Sequence, residues 1–127
     1  MTVITFGTFD LYHVGHVRLL ERASKFGSII VGISSDELNK KKKDRFPIYS
    51  FEERSEIIAS NKHVVKVFKE ESLEKKREYI VHYKADILIM GDDWKGKFDY
   101  LHDICDVIYL PRTNTISTTA TIDKIKE

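Results

Sequence analysis

Five short apolar runs, separated by stretches with helical spacing, set the strongest limit on how this chain folds. Residues 3–6, 29–33, 64–68, 87–90 and 107–110 are each too short for a core helix and suit buried strands. Between them, Val17, Leu20 and Ala23, with Leu19 and Phe26, make one helical stripe. Ser50 followed by Glu53 predicts a capping box that opens a helix carrying Phe51, Ile57 and Ile58. Residues 73–83 predict a charged amphipathic helix with Tyr79, Ile80 and Tyr83 on one side. Residues 98–104 predict a short helix and residues 118–125 a closing one. This alternation predicts an α/β fold, a doubly wound parallel five-stranded sheet with helices on both faces. A length of 127 residues suits one domain, 1–127.

Such sheets bind ligands beyond the carboxyl ends of their strands, near the switch in strand order. That rule points to the segments after Phe6, Ile33, Met90 and Leu110. Charge narrows the ligand. With 21 basic and 20 acidic residues the net charge is +1, so bulk attraction to nucleic acid is excluded as the main activity and an anion must be gripped locally. A single cysteine, Cys105, cannot form an internal disulfide; it predicts a buried structural thiol and a cytoplasmic setting. The first residues carry neither a basic leader nor a long apolar run, so no signal peptide and no membrane insertion are expected.

Three polar segments follow the predicted strands. After the first come Gly7, Thr8, Phe9, Asp10, Leu11, Tyr12, His13, Val14, Gly15 and His16. Gly7 allows a tight turn. If Gly15 and His16 open a helix, both imidazoles and the helix N-terminus can face one anion. Two histidines here could also be turn residues or half of a metal site, but no third and fourth ligand stand out. After the fourth strand comes Gly91-Asp92-Asp93-Trp94-Lys95-Gly96-Lys97-Phe98-Asp99. Its acidic pair suits base or ribose groups, or help with a metal. After the fifth comes Arg112-Thr113-Asn114-Thr115-Ile116-Ser117-Thr118-Thr119. There Ser117 can cap the last helix, the three hydroxyl residues 117–119 can meet a phosphate, and Arg112 adds a bidentate cation. The charge run at 40–45 reads on its own as a solvated loop.

The string GTFDxxHxGH around His13 and His16 resembles the cytidylyltransferase branch of the HxGH nucleotidyltransferase superfamily. The second and third blocks resemble that branch's GDDWxGKFD and RTxGISTT segments, the former typical of glycerol-3-phosphate cytidylyltransferases. The resemblance runs from Val3 to Thr119. It implies a Rossmann-like sheet and attack by glycerol 3-phosphate on the α-phosphate of CTP, with Mg²⁺ accompanying the nucleotide. It also implies a homodimer whose product, CDP-glycerol, feeds teichoic-acid or capsule-type polymers. His13, His16, Lys42 and Arg112 take the catalytic roles under it. Thr8, Phe9, Asp36, Gly91, Asp93, Thr113, Ser117, Thr118 and Thr119 join the histidines and Arg112 around the nucleotide. Asp10, Lys42, Lys43, Arg54 and Lys62 serve the acceptor, the lysine run 41–43 meeting its phosphate. No metal ligand is assigned.

Three positions depart from the family pattern. Lys62 replaces an arginine, giving a point charge in place of a planar fork. Val65 replaces an aspartate. Thr115 replaces a glycine. Other acceptors (phosphocholine, phosphoethanolamine, another polyol phosphate), an adenylyltransferase such as one acting on phosphopantetheine, and a non-catalytic nucleotide-binding module stand beside this reading. The intact histidine pair argues against the last.

Overall fold

A computed structural model describes residues 1–111. The strands are β1 (Thr2–Gly7), β2 (Ser28–Ser34), β3 (Val64–Glu70), β4 (Ile87–Gly91) and β5 (Asp106–Leu110). The helices are α1 (Val14–Ser24), α2 (Asp36–Lys43), α3 (Phe51–Ala59) and α4 (Lys76–His82). All strand pairs are parallel, in the order β3-β2-β1-β4-β5. The chain steps outward from β1 through β2 to β3, then returns to the other side of β1 for β4 and β5. The switch in strand order therefore lies between β1 and β4.

Period-two alternation sends successive side chains to opposite faces, and both faces are covered. Val3, Ile29, Val31, Ile33, Ile87 and Ile89 meet Leu20 and Ala23 of α1 and Ile58 of α3. Ile4, Phe6, Leu88 and Met90 meet Ile80 of α4, with Phe98, Leu101 and Cys105. Cys105 is buried, and burial raises its thiol pKa, as suits a structural thiol.

Local structure differs from the sequence expectation in four places. The run at 40–45 is not a loop up to Lys43: residues 36–43 form α2, capped where the Ser35 hydroxyl accepts from the Leu38 amide at 3.0 Å. Four consecutive lysines in its last turn complement the negative end of the helix dipole. The helix at 73–83 is split, with a 3₁₀ turn at Leu73–Lys75 preceding α4. The helix at 98–104 reduces to a 3₁₀ turn at Asp99–Leu101. Gly7 stays within β1, and the bend after it falls on Phe9 and Leu11, with φ of 52° and 48°. Gly7 serves a different need: a Cβ there would stand 2.8 Å from the Phe9 ring. The Ser50 cap forms, its hydroxyl accepting from the Glu53 amide at 3.2 Å. The closing helix expected at 118–125 lies outside the described residues.

Candidate active site

A cavity of about 650 Å³ opens across the carboxyl ends of the sheet. Gly7 of β1, Glu70 of β3, Gly91 of β4 and Leu110 of β5 mark strand ends in its wall. Thr8, Phe9, His13, Gly15 and His16 line it from the β1–α1 connection, Lys42 and Lys43 from α2, and Asp93, Trp94, Lys97 and Phe98 from the segment after β4. Among the described residues cations outnumber carboxylates: Lys42, Lys43, Lys76, Lys97 and Arg22 line it, against Glu70 and Asp93. The lining is that of an anion site.

The two histidines are held by the helix they open. His13 is the N-cap of α1, and its Nδ1 accepts from the Gly15 amide at 3.0 Å. Nδ1 of His16 accepts from the His13 amide at 3.2 Å, so the two residues form a reciprocal capping box. Their rings stack with centroids 3.8 Å apart. Tyr12 stacks on His16 at 5.8 Å and Phe9 meets its ring edge-on at 5.2 Å. A nitrogen that accepts carries no proton, so both neutral imidazoles keep theirs on Nε2. Burial, then His13 and Lys43, push the His16 pKa down to about 3, and burial lowers that of His13. Both rings are neutral Nε2–H donors at physiological pH. Nε2 of His13 is shielded from solvent and has no hydrogen-bond partner among the described residues. A buried donor without a partner is costly, and a ligand oxygen in the cavity would satisfy it.

Thr8 is oriented from behind. Its hydroxyl donates to Asn39 Oδ1 at 2.7 Å, and Asn39 Nδ2 donates to Ser34 Oγ at 2.8 Å. Lys42 is half-buried, and that burial leads the fall of its pKa to about 8; Lys43, Lys76 and Arg54 add to it and Glu70 opposes it. Burial and the nearby Arg45 lower the Lys43 pKa as well.

Several residues expected to touch the acceptor do other work. Arg54 is fully buried, with 0% exposure. Its guanidinium donates to the carbonyls of Tyr49 (3.1 Å), Thr8 (2.9 Å) and Ser34 (2.9 Å), and to Asp36 Oδ1 (2.7 Å). It ties the ends of β1 and β2 to the start of α2 and the loop before α3. Asp36, expected at the nucleotide, is its partner and does not line the cavity. Asp10, 2% exposed, accepts from the amides of Ile48 at 2.6 Å and Tyr49 at 2.9 Å, which pins the 44–50 loop. Arg54 and Asp10 brace the wall from behind, and neither lines the cavity. Lys62 is exposed in the turn leading into the amino end of β3, opposite the cavity. Arg112, Thr113, Ser117, Thr118 and Thr119 lie outside the described residues. Thr8, Phe9, His13, His16, Lys42, Lys43, Gly91 and Asp93 are brought together in one wall.

Glu70 and Lys76 were not expected. They form an ion pair of 2.6 Å within the cavity wall, exposed by only 1% and 4% at their side chains. The strand-end rule, applied after Phe68 as it was after the other strands, finds Glu70.

A family model described as cytidylyltransferase-like matches residues 4–124. The glycerol-3-phosphate cytidylyltransferase of Bacillus subtilis strain 168 is 48% identical over 126 residues, 98% of this chain and 94% of that protein. That of Staphylococcus aureus strain NCTC 8325 is 43% identical over 126 residues, 98% of this chain and 92% of that protein. Among solved structures, the lipopolysaccharide core biosynthesis protein of Thermoplasma volcanium has the same fold, with a TM-score of 0.76 and 21% identity over 90% of this chain and 98% of that one.

Proposed function

This chain belongs to the cytidylyltransferase-like family, and we propose that its cavity joins CTP to sn-glycerol 3-phosphate, giving CDP-glycerol and pyrophosphate. The observation that carries the reading is the pair of neutral imidazoles whose Nδ1 atoms accept in the helix cap, with the His13 Nε2–H buried and unpartnered among the described residues in a cavity rich in cations.

A phosphate oxygen of the acceptor attacks the α-phosphorus of CTP. The bond from that phosphorus to the bridging oxygen breaks, and pyrophosphate leaves with the electron pair. No proton need be taken from the attacking phosphate, so the protein supplies alignment and charge neutralisation, with no nucleophile of its own. His13 and His16 donate to the α-phosphate oxygens as charge builds on them. Lys42 and Lys43 hold the acceptor phosphate and offset repulsion between two anions. Gly91, open to solvent space on its Cα, and Asp93 receive the nucleoside end.

Among the described residues no three His, Cys, Asp or Glu side chains converge to hold a metal ion. We therefore propose that Mg²⁺ enters with CTP as its phosphate complex, where it would neutralise the departing pyrophosphate. Arg112, Thr113 and residues 117–119 complete the phosphate contacts in this reading. It further places CDP-glycerol in teichoic-acid or capsule-type polymer synthesis, and the enzyme in the cytoplasm as a homodimer. Among the described residues no helix is long and apolar enough to cross a membrane.

Pyrophosphate release from CTP and from ATP, each with glycerol 3-phosphate, phosphocholine and phosphoethanolamine, tests the assignment. Turnover confined to CTP with glycerol 3-phosphate is expected. Equal turnover with ATP would remove it, and a preference for phosphocholine would move it to another acceptor.

A further inference from the structure

Arg22, in the last turn of α1, makes a contact that its own helix does not require. Its Nη1 donates to the Pro111 carbonyl at 2.9 Å, across 89 positions of sequence. A cation near a helix C-terminus is favourable wherever its head points. This one is committed to the carbonyl just beyond β5. Arg22, Leu19, Leu110 and Pro111 all line the cavity, and Leu19 and Leu110 pack on the same core. His16, Leu19 and Arg22, spaced three apart, share the side of α1 that lines the cavity. One helix face therefore carries a proposed catalytic donor at one end and a tie to β5 at the other.

Pro111 is where such a tie has most leverage. β5 is an edge strand, and its ladder to β4 ends with Leu110 paired to Gly91. A proline has no N–H to bond, and its ring holds φ at about −65°. The exit of the chain then depends on ψ, which turns the carbonyl. The following peptide is planar, so holding that oxygen holds the direction in which the chain leaves the sheet. The segment that begins with Arg112 starts at this point. Along α1 the rise from His16 to Arg22 is about 9 Å, and a helix keeps that separation fixed. The tie thus sets the exit from β5 in register with the imidazole pair.

Resting on the cytidylyltransferase reading, we propose that Arg22 is a positioning residue for the nucleotide: by holding the Pro111 carbonyl it sets Arg112 against the CTP phosphates, in register with His13 and His16. Arg22 acts through Arg112 and not by touching substrate. A small misplacement of a group that aligns a reacting phosphate lowers the rate even when the group itself is intact. The acceptor, held by Lys42 and Lys43 from α2, is not served by this tie.

The test is a double-mutant cycle on Arg22 and Arg112, read by pyrophosphate release from CTP and glycerol 3-phosphate. Arg22→Met keeps the apolar stem and removes the donors. It should lower kcat/KM for CTP about tenfold, the scale of one hydrogen bond to a charged group. KM for glycerol 3-phosphate at saturating CTP should stay unchanged, as should Tm. Arg22→Lys still offers a donor to the carbonyl and should recover most of the loss. In an Arg112→Ala background, Arg22→Met should add less than about twofold, because residues that act as one unit are not additive. Where Arg22→Met folds poorly, Arg22→Gln, with its shorter arm, takes its place in each comparison. Losses that multiply in the double variant would overturn the inference, since Arg22 would then act independently of Arg112. So would an altered preference between CTP and UTP in the single variant, which would put the guanidinium on the base. A lowered Tm with CTP kinetics intact overturns it too, leaving the tie a structural one and cytidylyl transfer untouched. Absence of turnover by the wild type with any phosphorylated acceptor would overturn the underlying reading and this inference with it.

Discussion

The backbone N–H of His13 donates to Nδ1 of His16 at 3.2 Å, and that bond decides which imidazole nitrogen carries the proton. The helix cap and the proposed catalytic donor are two edges of one ring. His16→Ala should lower kcat by about 10²–10³, the usual loss for one preorganised donor. Affinity for CTP should change much less, because the donor matters most as charge builds in the transition state. Loss of the cap should cost about 1 kcal/mol of stability. Calorimetry with CTP, circular dichroism and steady-state rates on one preparation check all three. Near-normal turnover in the folded variant would reduce His16 to a cap.

Acid should unfold the protein partly through this ring. In the unfolded chain His16 takes its proton at its ordinary value of 6.5, whereas burial, then His13 and Lys43, hold it at about 3 in the fold. Between those values the unfolded state binds more protons, so stability is full above 6.5 and falls as pH drops toward 3. Protonated Nδ1 can no longer accept from the His13 amide, so the cap goes with it. Denaturant midpoints measured from pH 7 to 4 should fall in the wild type and fall less steeply in His16→Ala. Parallel slopes would show that other groups carry the acid sensitivity.

The alkaline side should be set by Lys42. Burial leads the fall of its pKa to about 8, so raising pH through 8 removes the cation proposed to hold the acceptor phosphate. A bound dianion favours the charged form, and saturating acceptor should shift the limb upward. The expected profile is a kcat/KM for glycerol 3-phosphate that falls above pH 8, with kcat falling at higher pH. Lys42→Arg stays charged and should lose the limb. A limb unchanged in Lys42→Arg would assign it to another group.

What the sequence revealed, and what it hid, follows from how far each signal travels along the chain. Strand runs and the histidine spacing are local, and β1, β2, β4 and the helix α1 fall where the periodicity places them. The helix α2 was hidden because Lys40 to Lys43 look like solvated polar chain, and only the Ser35 cap and the dipole explain them as helix. Glycine signals a turn, so the sequence places the bend after β1 at Gly7. Phe9 adopts the positive φ instead, and its ring is what excludes a Cβ at Gly7. Arg54 is the hardest case. Nothing adjacent to it in sequence shows that carbonyls from positions 8, 34 and 49 converge on its guanidinium. A charged residue on a helix reads as surface until the tertiary fold closes over it.

That closure makes Arg54 the sharpest test of support against contact. Its four hydrogen-bonded partners come from the ends of β1 and β2, the loop before α3 and the start of α2. Removing the side chain leaves three carbonyls without this donor and the Asp36 carboxylate without its counter-ion. Asp36 is partly exposed, so the larger loss is of the buried donor to three carbonyls, and the whole should cost about 3–5 kcal/mol. In a domain of this size 1 kcal/mol corresponds to roughly 3–5 °C, so Arg54→Ala should lower Tm by about 10–20 °C. Arg54→Lys should recover little of it, since one ammonium cannot reproduce a planar fork aimed at four acceptors. Asp36→Asn keeps an acceptor for Arg54 and should cost much less than Arg54→Ala. A ligand-binding arginine behaves the opposite way, with an unchanged Tm and a raised KM. Thermal melts and glycerol 3-phosphate kinetics on Arg54→Ala, Arg54→Lys and Asp36→Asn therefore separate the two roles. An Arg54→Ala protein that melts with the wild type and has lost only acceptor affinity would put the guanidinium in the cavity and the scaffold role aside.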